Sequence, residues 1–191
     1  MRFKWVDYCE AYEAETERWS KDESTLKYAI DESIKADHLY YLADTDYIHN
    51  ETYFCKAALE DDKIIAVIFL LSGEKYPLSI NPVIINPAFR NQGYCVRVIK
   101  ELINHTAEII GQEKYVFDAG ISLDNIASVR AFEKIGFTLT DKHPGGDFGY
   151  YHYEKKAPPE MDAQIKEIWE IYAQDLAKIV QDYSNKQKLR D

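Results

Sequence analysis

The 191-residue sequence contains no glycine or proline before Gly73, and only eight glycines and six prolines in all. Its longest apolar run, residues 64–71, is too short to span a bilayer, and the N-terminus has no apolar signal segment. The cysteines number only three and lie far apart, which argues against a disulfide framework and against the usual zinc spacings. They are Cys9, Cys55 and Cys95. We therefore expect a soluble, cytoplasmic protein without a metal site or a membrane association.

An excess of basic residues is also missing. Lysine and arginine total 23 against 33 aspartates and glutamates, which gives a formal net charge of −10. Because duplex binding depends on basic side chains that neutralise phosphates, nucleic acid is not an expected partner. A cationic small molecule would suit the charge better, although acidic surfaces also serve solubility alone. The charge by itself leaves both explanations open.

The chain is long enough for one domain with a substantial core and an appended element. The first fifty residues have an acidic, helical pattern, in which Ser24 is a plausible N-cap. Two apolar runs over residues 52–73, joined at Glu60–Lys63, predict a β-hairpin. Residues 78–85 predict a third strand, with a bulge or an edge at Pro82, because proline cannot donate to a ladder.

The second half of the chain alternates helices with strands. The stretch from Tyr94 to Glu113 predicts a helix, whose end is marked by Gly111. A short strand follows at residues 115–122. A second helix is predicted to end at Gly136, and two further strands flank the turn-rich residues 141–147. The order predicts a mixed α/β (α+β) fold, with helices layered on a central sheet.

After Pro158 and Pro159 the pattern changes to one long amphipathic helix. Apolar residues recur at intervals of three and four, so they form one stripe along a helix of roughly 40 Å. The stripe consists of Met161, Ile165, Ile168, Tyr172, Leu176, Ile179 and Tyr183. We expect a domain over residues 1–156 and a helical extension over residues 157–191. The stripe either docks on its own domain or pairs with a second copy, so both a monomer and a homodimer are open.

The segment NPAFRNQGYC, residues 86–95, joins the predicted third strand to the helix that follows. Backbone N–H groups at a helix start lack intrahelical partners and, with the helix dipole, favour anions. Gly93 would let the backbone approach an anion without a side chain in the way. The segment is neither a Walker loop nor a dinucleotide fingerprint. Taken alone, the glycine is equally consistent with a simple turn between a strand and a helix.

The residues further along the chain add weight to the anion-binding reading. Arg90, Gln92 and Gly93, with Cys95 less closely, resemble the Arg/Gln-x-x-Gly-x-Gly/Ala motif of the GCN5-related N-acetyltransferase (GNAT) superfamily. The second motif of that superfamily, Asn…Tyr-Glu-Lys-x-Gly-Phe, is matched by Asn125, Glu133, Lys134, Gly136 and Phe137. The detail is most similar to the branch that includes ribosomal-protein N-terminal, polyamine and aminoglycoside acetyltransferases. The resemblance covers about residues 1–156.

The resemblance implies the GNAT fold, a mixed and mostly antiparallel sheet splayed at a groove for acetyl-CoA. It also implies an N-acetyltransferase in which a primary amine of a small cationic molecule or peptide attacks the thioester directly. Thirteen residues are expected to bind the cofactor: Val83, Ile84, Ile85, Arg90, Asn91, Gln92, Gly93, Tyr94, Cys95, Asn125, Ser128, Phe132 and Lys134. Asn125 can also be an ordinary helix cap, and Lys134 can belong to a solvated helix face.

The catalytic groups of the family do not all carry over. Many GNAT enzymes protonate the leaving thiolate with a tyrosine where this chain has Phe132, and several keep an acidic residue where it has Gly120. Asp118 and His143 are the candidate bases in their place, with a water relay as a further option. Asn81 and Tyr150 are weaker candidates. A catalytically weak or inactive acyl-CoA-binding module with a regulatory or interaction role is the alternative function.

Carboxylates and tyrosines of the first fifty residues are expected to select the amine, together with residues 141–148. Carboxylates beside aromatic rings suit a cationic acceptor through ion pairing and cation–π contact. The residues in question are Asp22, Glu23, Tyr28, Asp31, Glu32, Asp37, Tyr40, Tyr41, Asp44, Asp46, Tyr47 and Asp147. Exposed acidic helices explain most of these charges without any ligand.

Overall fold

The computed structural model describes residues 3–43 and 51–188 and contains a seven-stranded sheet flanked by helices. The strands are β1 (Lys4–Asp7), β2 (Glu51–Glu60), β3 (Lys63–Gly73), β4 (Leu78–Ile85), β5 (Val116–Ser122), β6 (Thr138–Lys142) and β7 (Phe148–Glu154). The α-helices are α1 (Glu13–Trp19), α2 (Glu23–Tyr28), α3 (Ile34–Ala43), α4 (Tyr94–Asn104), α5 (Thr106–Ile110), α6 (Ile126–Ile135) and α7 (Asp162–Lys188). This arrangement confirms the predicted fold class.

The strand order is β1-β2-β3-β4-β5-β7-β6, and every neighbouring pair is antiparallel except β4 and β5. These two parallel strands pair at only two positions, Leu78 with Phe117 and Ser79 with Asp118. Beyond that point β4 continues to Ile85 and β5 to Ser122 without a ladder between them. The sheet therefore opens at its centre, as the resemblance implied.

The N-terminal region differs from the helical prediction. Residues 4–7 form the edge strand β1, and the helical region that follows is divided into three short helices. Asp22, rather than Ser24, caps α2, because its carboxylate accepts a hydrogen bond from the Thr25 N–H at 3.0 Å. Asp44, Asp46 and Tyr47 lie outside the described residues.

Other local predictions agree with the structure. The hairpin turn lies at Asp61 and Asp62, both with left-handed φ, and the β3–β4 register shifts opposite Pro82, where a bulge was expected. Gly111 and Gly136 end α5 and α6 in left-handed conformations. The predicted helix from Tyr94 is interrupted at His105, so it forms α4 and α5 rather than one helix.

Alternating residues of the sheet build separate cores on its two faces. Ile68 and Leu70 of β3 pack in a cluster with Val98, Ile99 and Leu102 of α4. The intervening residues Val67 and Phe69 pack on the other face, in a cluster that holds Trp19 of α1 and Ile34 of α3. Helices therefore pack against both faces of the sheet, and the opening between β4 and β5 lies between these two layers.

The long helix α7 docks on the sheet through part of its apolar stripe. Ile165 and Ile168 pack against Val116 of β5 and are 7% exposed, while Ile179 is 46% exposed. Tyr183 falls outside the residues whose side chains are described. The first half of the stripe is thus covered by the chain itself, and the division at residue 156 stays a prediction.

In the described residues, no helix is both long enough and apolar enough to cross a membrane.

Candidate active site

A cavity of about 710 Å³ lies where β4 and β5 diverge. Its walls come from α2, from α3, from the turn before α4 and from α6, and Phe148 of β7 also lines it. Twelve of the thirteen residues predicted from the sequence to bind the cofactor line it: Val83, Ile84, Ile85, Arg90, Asn91, Gly93, Tyr94, Cys95, Asn125, Ser128, Phe132 and Lys134. The structure therefore brings two distant sequence motifs to one cavity.

The turn before α4 has the backbone geometry of an anion cradle. Asn91 (φ 60°) and Gly93 (φ 77°) are both left-handed, and Gly93 is the N-cap of α4. The first intrahelical bond runs from the Arg97 N–H to the Gly93 carbonyl at 3.2 Å. The N–H groups of residues 94–96 precede that bond, so they are the donors that a helix start leaves for an anion.

An added Cβ at Gly93 would meet no atom within 4 Å, so the turn opens onto free space. The entry to the turn is fixed by Asn86, whose side-chain amide donates to the Ile64 carbonyl at 3.0 Å and whose Oδ1 accepts from the Ala88 N–H at 3.0 Å. The cradle therefore has room for a phosphate group, and Asn86 ties its entry to the neighbouring strand β3. These residues fit the pyrophosphate of a CoA molecule.

Basic and polar residues of α6 face the same cavity. Asn125 caps α6 by accepting from the Ser128 N–H at 3.2 Å, so its cap role is observed. Arg130 and Lys134 also line the cavity. The lining role of Arg130 was missed from the sequence, although its spacing of four from Lys134 places both on one helical face. The two cations suit the phosphates of the same ligand.

Two side chains of the first motif are directed elsewhere. Gln92 lies outside the cavity lining, and its side-chain amide donates to the Ala88 carbonyl at 3.0 Å. Arg90 donates to Asp22 and to Thr25, both at 2.6 Å. Any cofactor contact of this motif would therefore come mainly from its backbone.

The floor of the cavity explains the two missing family residues. Phe132 is buried and packs edge-to-face on Phe137, with ring centroids 4.9 Å apart, so it is a core residue without a proton to give. An added Cβ at Gly120 would lie 2.2 Å from Cζ of Phe148. The Phe148 ring thus fills the space that a side chain at position 120 would need, so an acidic residue there would require the ring to move.

The two candidate bases lie outside the cavity lining. Asp118 is 8% exposed, and its Oδ2 accepts hydrogen bonds from the Tyr172 hydroxyl at 3.0 Å and the Ser79 hydroxyl at 3.4 Å. Burial and the nearby Asp118 raise the pKa of Tyr172. His143 is half-buried in the β6–β7 connection, and its Nδ1 accepts from the Gly145 N–H at 3.2 Å. Their catalytic roles stay predictions.

The wall of the cavity formed by α2, α3 and the residues between them carries carboxylates and tyrosines. Tyr28, Asp31, Asp37 and Tyr41 line it, whereas Tyr40 is 63% exposed. Burial is the main cause that raises the pKa of Asp37, although its carboxylate also accepts from the Asp31 N–H at 3.1 Å. Four of the residues expected to select the amine are therefore at the cavity.

Cys95 is the one thiol that lines the cavity among the described residues. Burial raises its pKa to about 12, so the thiol stays protonated at neutral pH and is a poor nucleophile. Among the described residues, no group of three or more histidine, cysteine, aspartate or glutamate side chains is arranged to hold a metal ion.

Comparison with known proteins identifies the family. Residues 7–137 match the model of the acetyltransferase (GNAT) family. The chain belongs to this family. The prediction from the two motifs is thereby confirmed, and the chain is an N-acetyltransferase of the GNAT type. No curated protein matches the sequence with significance.

Solved GNAT structures share the fold at low sequence identity. Campylobacter jejuni N-acetyltransferase PseH, in complex with acetyl coenzyme A, is 16% identical (TM-score 0.55) over 81% of this chain and 99% of that chain. Vibrio cholerae spermidine N-acetyltransferase, with CoA and spermine, is 13% identical (TM-score 0.59) over 81% and 96%. The aminoglycoside acetyltransferase AAC(6′)-Ib, with coenzyme A, is 13% identical (TM-score 0.60) over 80% and 94%. These likenesses support the GNAT fold, and the compared structures hold the cofactor expected from the sequence.

Proposed function

We propose that this GNAT protein transfers the acetyl group of acetyl-CoA to a primary amine on a small cationic molecule or a peptide. The observation that carries the proposal is the cavity between β4 and β5, which ends at the left-handed Gly93 and the start of α4. The pantetheine arm of acetyl-CoA can pair with the free edge of β4, while the phosphates of the same molecule lie at the N-terminus of α4.

The cofactor would lie along β4. Backbone groups of residues 83–85 belong to the part of β4 that has no ladder with β5, so they are the candidates for pairing with the amides of pantetheine. Asn125 would reach the same groups from across the opening. Arg130 and Lys134 would neutralise phosphate charge from α6, and the N–H groups of residues 94–96 would hold the pyrophosphate.

In the proposed transfer, the neutral amine attacks the carbonyl carbon of the thioester. A C–N bond forms, the C–S bond breaks, and the sulfur leaves as a thiolate while the amine loses a proton to a base. Since Phe132 has no proton to donate, the thiolate leaves unprotonated, which its ordinary pKa near 8 or 9 allows. Asp118 and His143 both lie outside the cavity lining, so either would act as the base through water molecules.

A cationic acceptor is favoured by the wall of the cavity formed by α2, α3 and the residues between them. Asp31 and Asp37 supply carboxylates, and Tyr28 and Tyr41 supply aromatic rings, a combination that suits ammonium groups. Two of the compared enzymes are named for spermidine and for aminoglycosides, which are molecules with several amines. This chain would therefore accept an amine that carries at least one further positive charge.

Calorimetry with acetyl-CoA, followed by a CoA thiol-release assay across an amine panel, tests the proposal. The panel contains polyamines, aminoglycosides and short peptides with free N-termini. We expect acetyl-CoA to bind and at least one amine to increase thiol release above the rate without amine. Binding without release for any amine would overturn the proposed acceptor class, and an absence of binding would overturn the cofactor assignment as well.

A further inference from the structure

Arg90 connects the turn before α4 to the start of α2. Its Nη1 donates to Oδ1 of Asp22 and its Nη2 donates to Oγ1 of Thr25, both at 2.6 Å, while its Nε donates to the Ile85 carbonyl at 3.2 Å. The guanidinium therefore bridges the end of β4 and the first turn of α2, and Arg90 itself is 65 and 68 residues from its partners Thr25 and Asp22.

The Arg90 contact reaches the cap on which α2 depends. Asp22 is the N-cap of α2, and the same Oδ1 that meets Arg90 also accepts from the Thr25 N–H at 3.0 Å. A six-residue helix has little stability of its own, so its order depends on caps and packing. Losing Arg90 would therefore weaken the start of α2 in particular.

The ion pair is sheltered more than a surface pair. The Arg90 and Asp22 side chains are 28% and 32% exposed. Although burial alone would raise it, hydrogen bonds from Arg90 and from the Thr25 N–H lower the pKa of Asp22 below its ordinary value. The carboxylate is thus ionised at neutral pH, and charge-assisted bonds of this kind are stronger than neutral ones.

The helix α2 forms a wall of the cavity, because Ser24, Thr25, Leu26, Lys27 and Tyr28 all line it. It carries Tyr28, which belongs with Asp31 to the residues proposed to select the amine, whereas the turn at Gly93 belongs to the proposed cofactor cradle. The two walls are therefore joined by one side chain, Arg90, whose own backbone belongs to the cofactor side.

We propose that Arg90 is a positioning residue that couples occupancy of the cofactor cradle to the order of α2, the wall that receives the amine. The inference rests on the proposed function, since it takes acetyl-CoA as the ligand of the cradle. An anion bound at residues 91–96 restricts the turn that carries Arg90, and the guanidinium then holds Asp22 and Thr25 more firmly. By reciprocity, an ordered α2 favours cofactor binding by the same factor.

Hydrogen exchange of the α2 amides, measured on the full chain with and without acetyl-CoA, tests the coupling. The variants are Arg90→Gln and Asp22→Asn, because asparagine keeps the N-cap hydrogen bond but removes the charge. Lys75→Gln is the matched control. Lys75 also makes an ion pair between distant segments, with Glu167 at 2.9 Å, but lies outside the cavity lining. In the samples with ligand, acetyl-CoA is at saturation, at a concentration set from the dissociation constant that calorimetry gives for each variant.

In the wild type and in Lys75→Gln, we expect acetyl-CoA to slow exchange at residues 23–30 by about fivefold or more. In Arg90→Gln and Asp22→Asn, the slowing should fall below about twofold, while exchange in β3 stays unchanged. Arg90→Lys should restore part of the slowing, because lysine can still reach one partner. A merely structural role would change exchange without ligand but leave the ligand-dependent slowing intact.

Equal slowing in the wild type and in Arg90→Gln would overturn the inference while leaving the proposed function standing. The proposed function fails by a different result, the absence of acetyl-CoA binding to the wild type. With an amine found by the panel, the same variants should raise KM for the amine severalfold more than they lower kcat. A fall in kcat at unchanged KM would also contradict the inference.

Discussion

Gly93 is the residue on which the cradle depends most directly. Its φ of 77° is a conformation that L side chains rarely adopt, and its missing Cβ leaves open space in front of the helix start. The neighbouring Cys95 instead packs its half-buried side chain against the core and is not constrained in this way. The two positions therefore make a matched pair for mutation.

We expect Gly93→Val to weaken acetyl-CoA binding by about 10- to 100-fold, because valine strains the left-handed turn and places methyl groups in the anion site. Cys95→Ala should bind nearly as well as the wild type. Calorimetry of both variants is the measurement, with thermal unfolding as the control for folding. Normal binding by a folded Gly93→Val would show that the anion site is not at this turn.

A second pair of residues, Gly120 and Phe148, lies where several family members have an acidic residue. We expect Gly120→Asp to lower the free energy of unfolding by about 1–3 kcal/mol, because its Cβ would overlap the Phe148 ring. Combining it with Phe148→Ala should recover part of that loss beyond the sum of the single changes. Chemical denaturation of the four proteins gives the coupling. Strict additivity would mean that Phe148 does not occupy the space next to residue 120.

At the scale of elements, α7 is attached to the sheet by polar as well as apolar contacts. The Tyr172 hydroxyl donates to the buried Asp118, and Trp169 stacks on His152 with ring centroids 4.6 Å apart. Tyr76 also donates to Asp175 at 2.9 Å. This half of the helix is therefore part of the enzyme's folded body, and the apolar residue exposed further along the stripe is Ile179.

Tyr172→Phe should destabilise the chain by about 1–3 kcal/mol, because it removes a hydrogen bond from a buried carboxylate. Ile179→Ala, on the same helix, should have little effect. Thermal and urea unfolding measure both. Asp118→Asn tests the same contact from the sheet side: we expect a larger effect on stability than on kcat. A kcat loss of about 10²-fold or more at unchanged stability would instead assign Asp118 as the base.

The sequence predicted those elements whose signals are local. Gly93 marks the start of α4, and Gly111 and Gly136 mark the ends of α5 and α6. The apolar run of β3 marks a central strand. The edge strand β1 was missed because only four residues form it and its ends, Lys4 and Asp7, are charged and exposed. The break between α2 and α3 contains neither glycine nor proline, so its composition does not predict it.

For the candidate site, the comparison with the sequence concerns position only, because the roles of its residues stay predictions. Its backbone features follow from the two motifs, and twelve of the thirteen expected cofactor residues line one cavity. Contacts that join distant segments were not visible. The Arg90–Asp22 ion pair spans 68 residues, and the overlap of Phe148 with Gly120 depends on the exact register of β5 and β7.

At the scale of the whole molecule, a net charge of −10 coexists with a histidine that resists protonation. Burial lowers the pKa of His152 to about 4, against a smaller opposing effect of Asp141. Among the described residues, its buried Nε2 has no hydrogen-bond partner, so no acceptor at that atom stabilises an added proton. The unfolded chain therefore takes up a proton at this site at a higher pH than the folded chain does.

The stability contributed by neutral His152 is complete above pH 6.5 and is lost as the pH falls toward 4, by on the order of 2 kcal/mol. We expect His152→Phe, which keeps a ring against Trp169, to reduce this pH dependence and to raise Tm at pH 5 relative to the wild type. His38, whose pKa is also lowered by burial, remains and preserves part of the slope. Thermal unfolding from pH 7.5 to 4.5 is the measurement. Parallel curves would contradict the assignment.

The central claim is that acetyl passes directly from acetyl-CoA to a primary amine in the cavity between β4 and β5. Rapid-quench mass spectrometry of the full chain, mixed with labelled acetyl-CoA and the best amine of the panel, tests it most directly. The account predicts labelled amine that appears together with free CoA, at no time preceded by labelled protein, because the Cys95 thiol is held protonated. Label that appears first on the protein, or no labelled amine with acetyl-CoA bound at saturation, would contradict it.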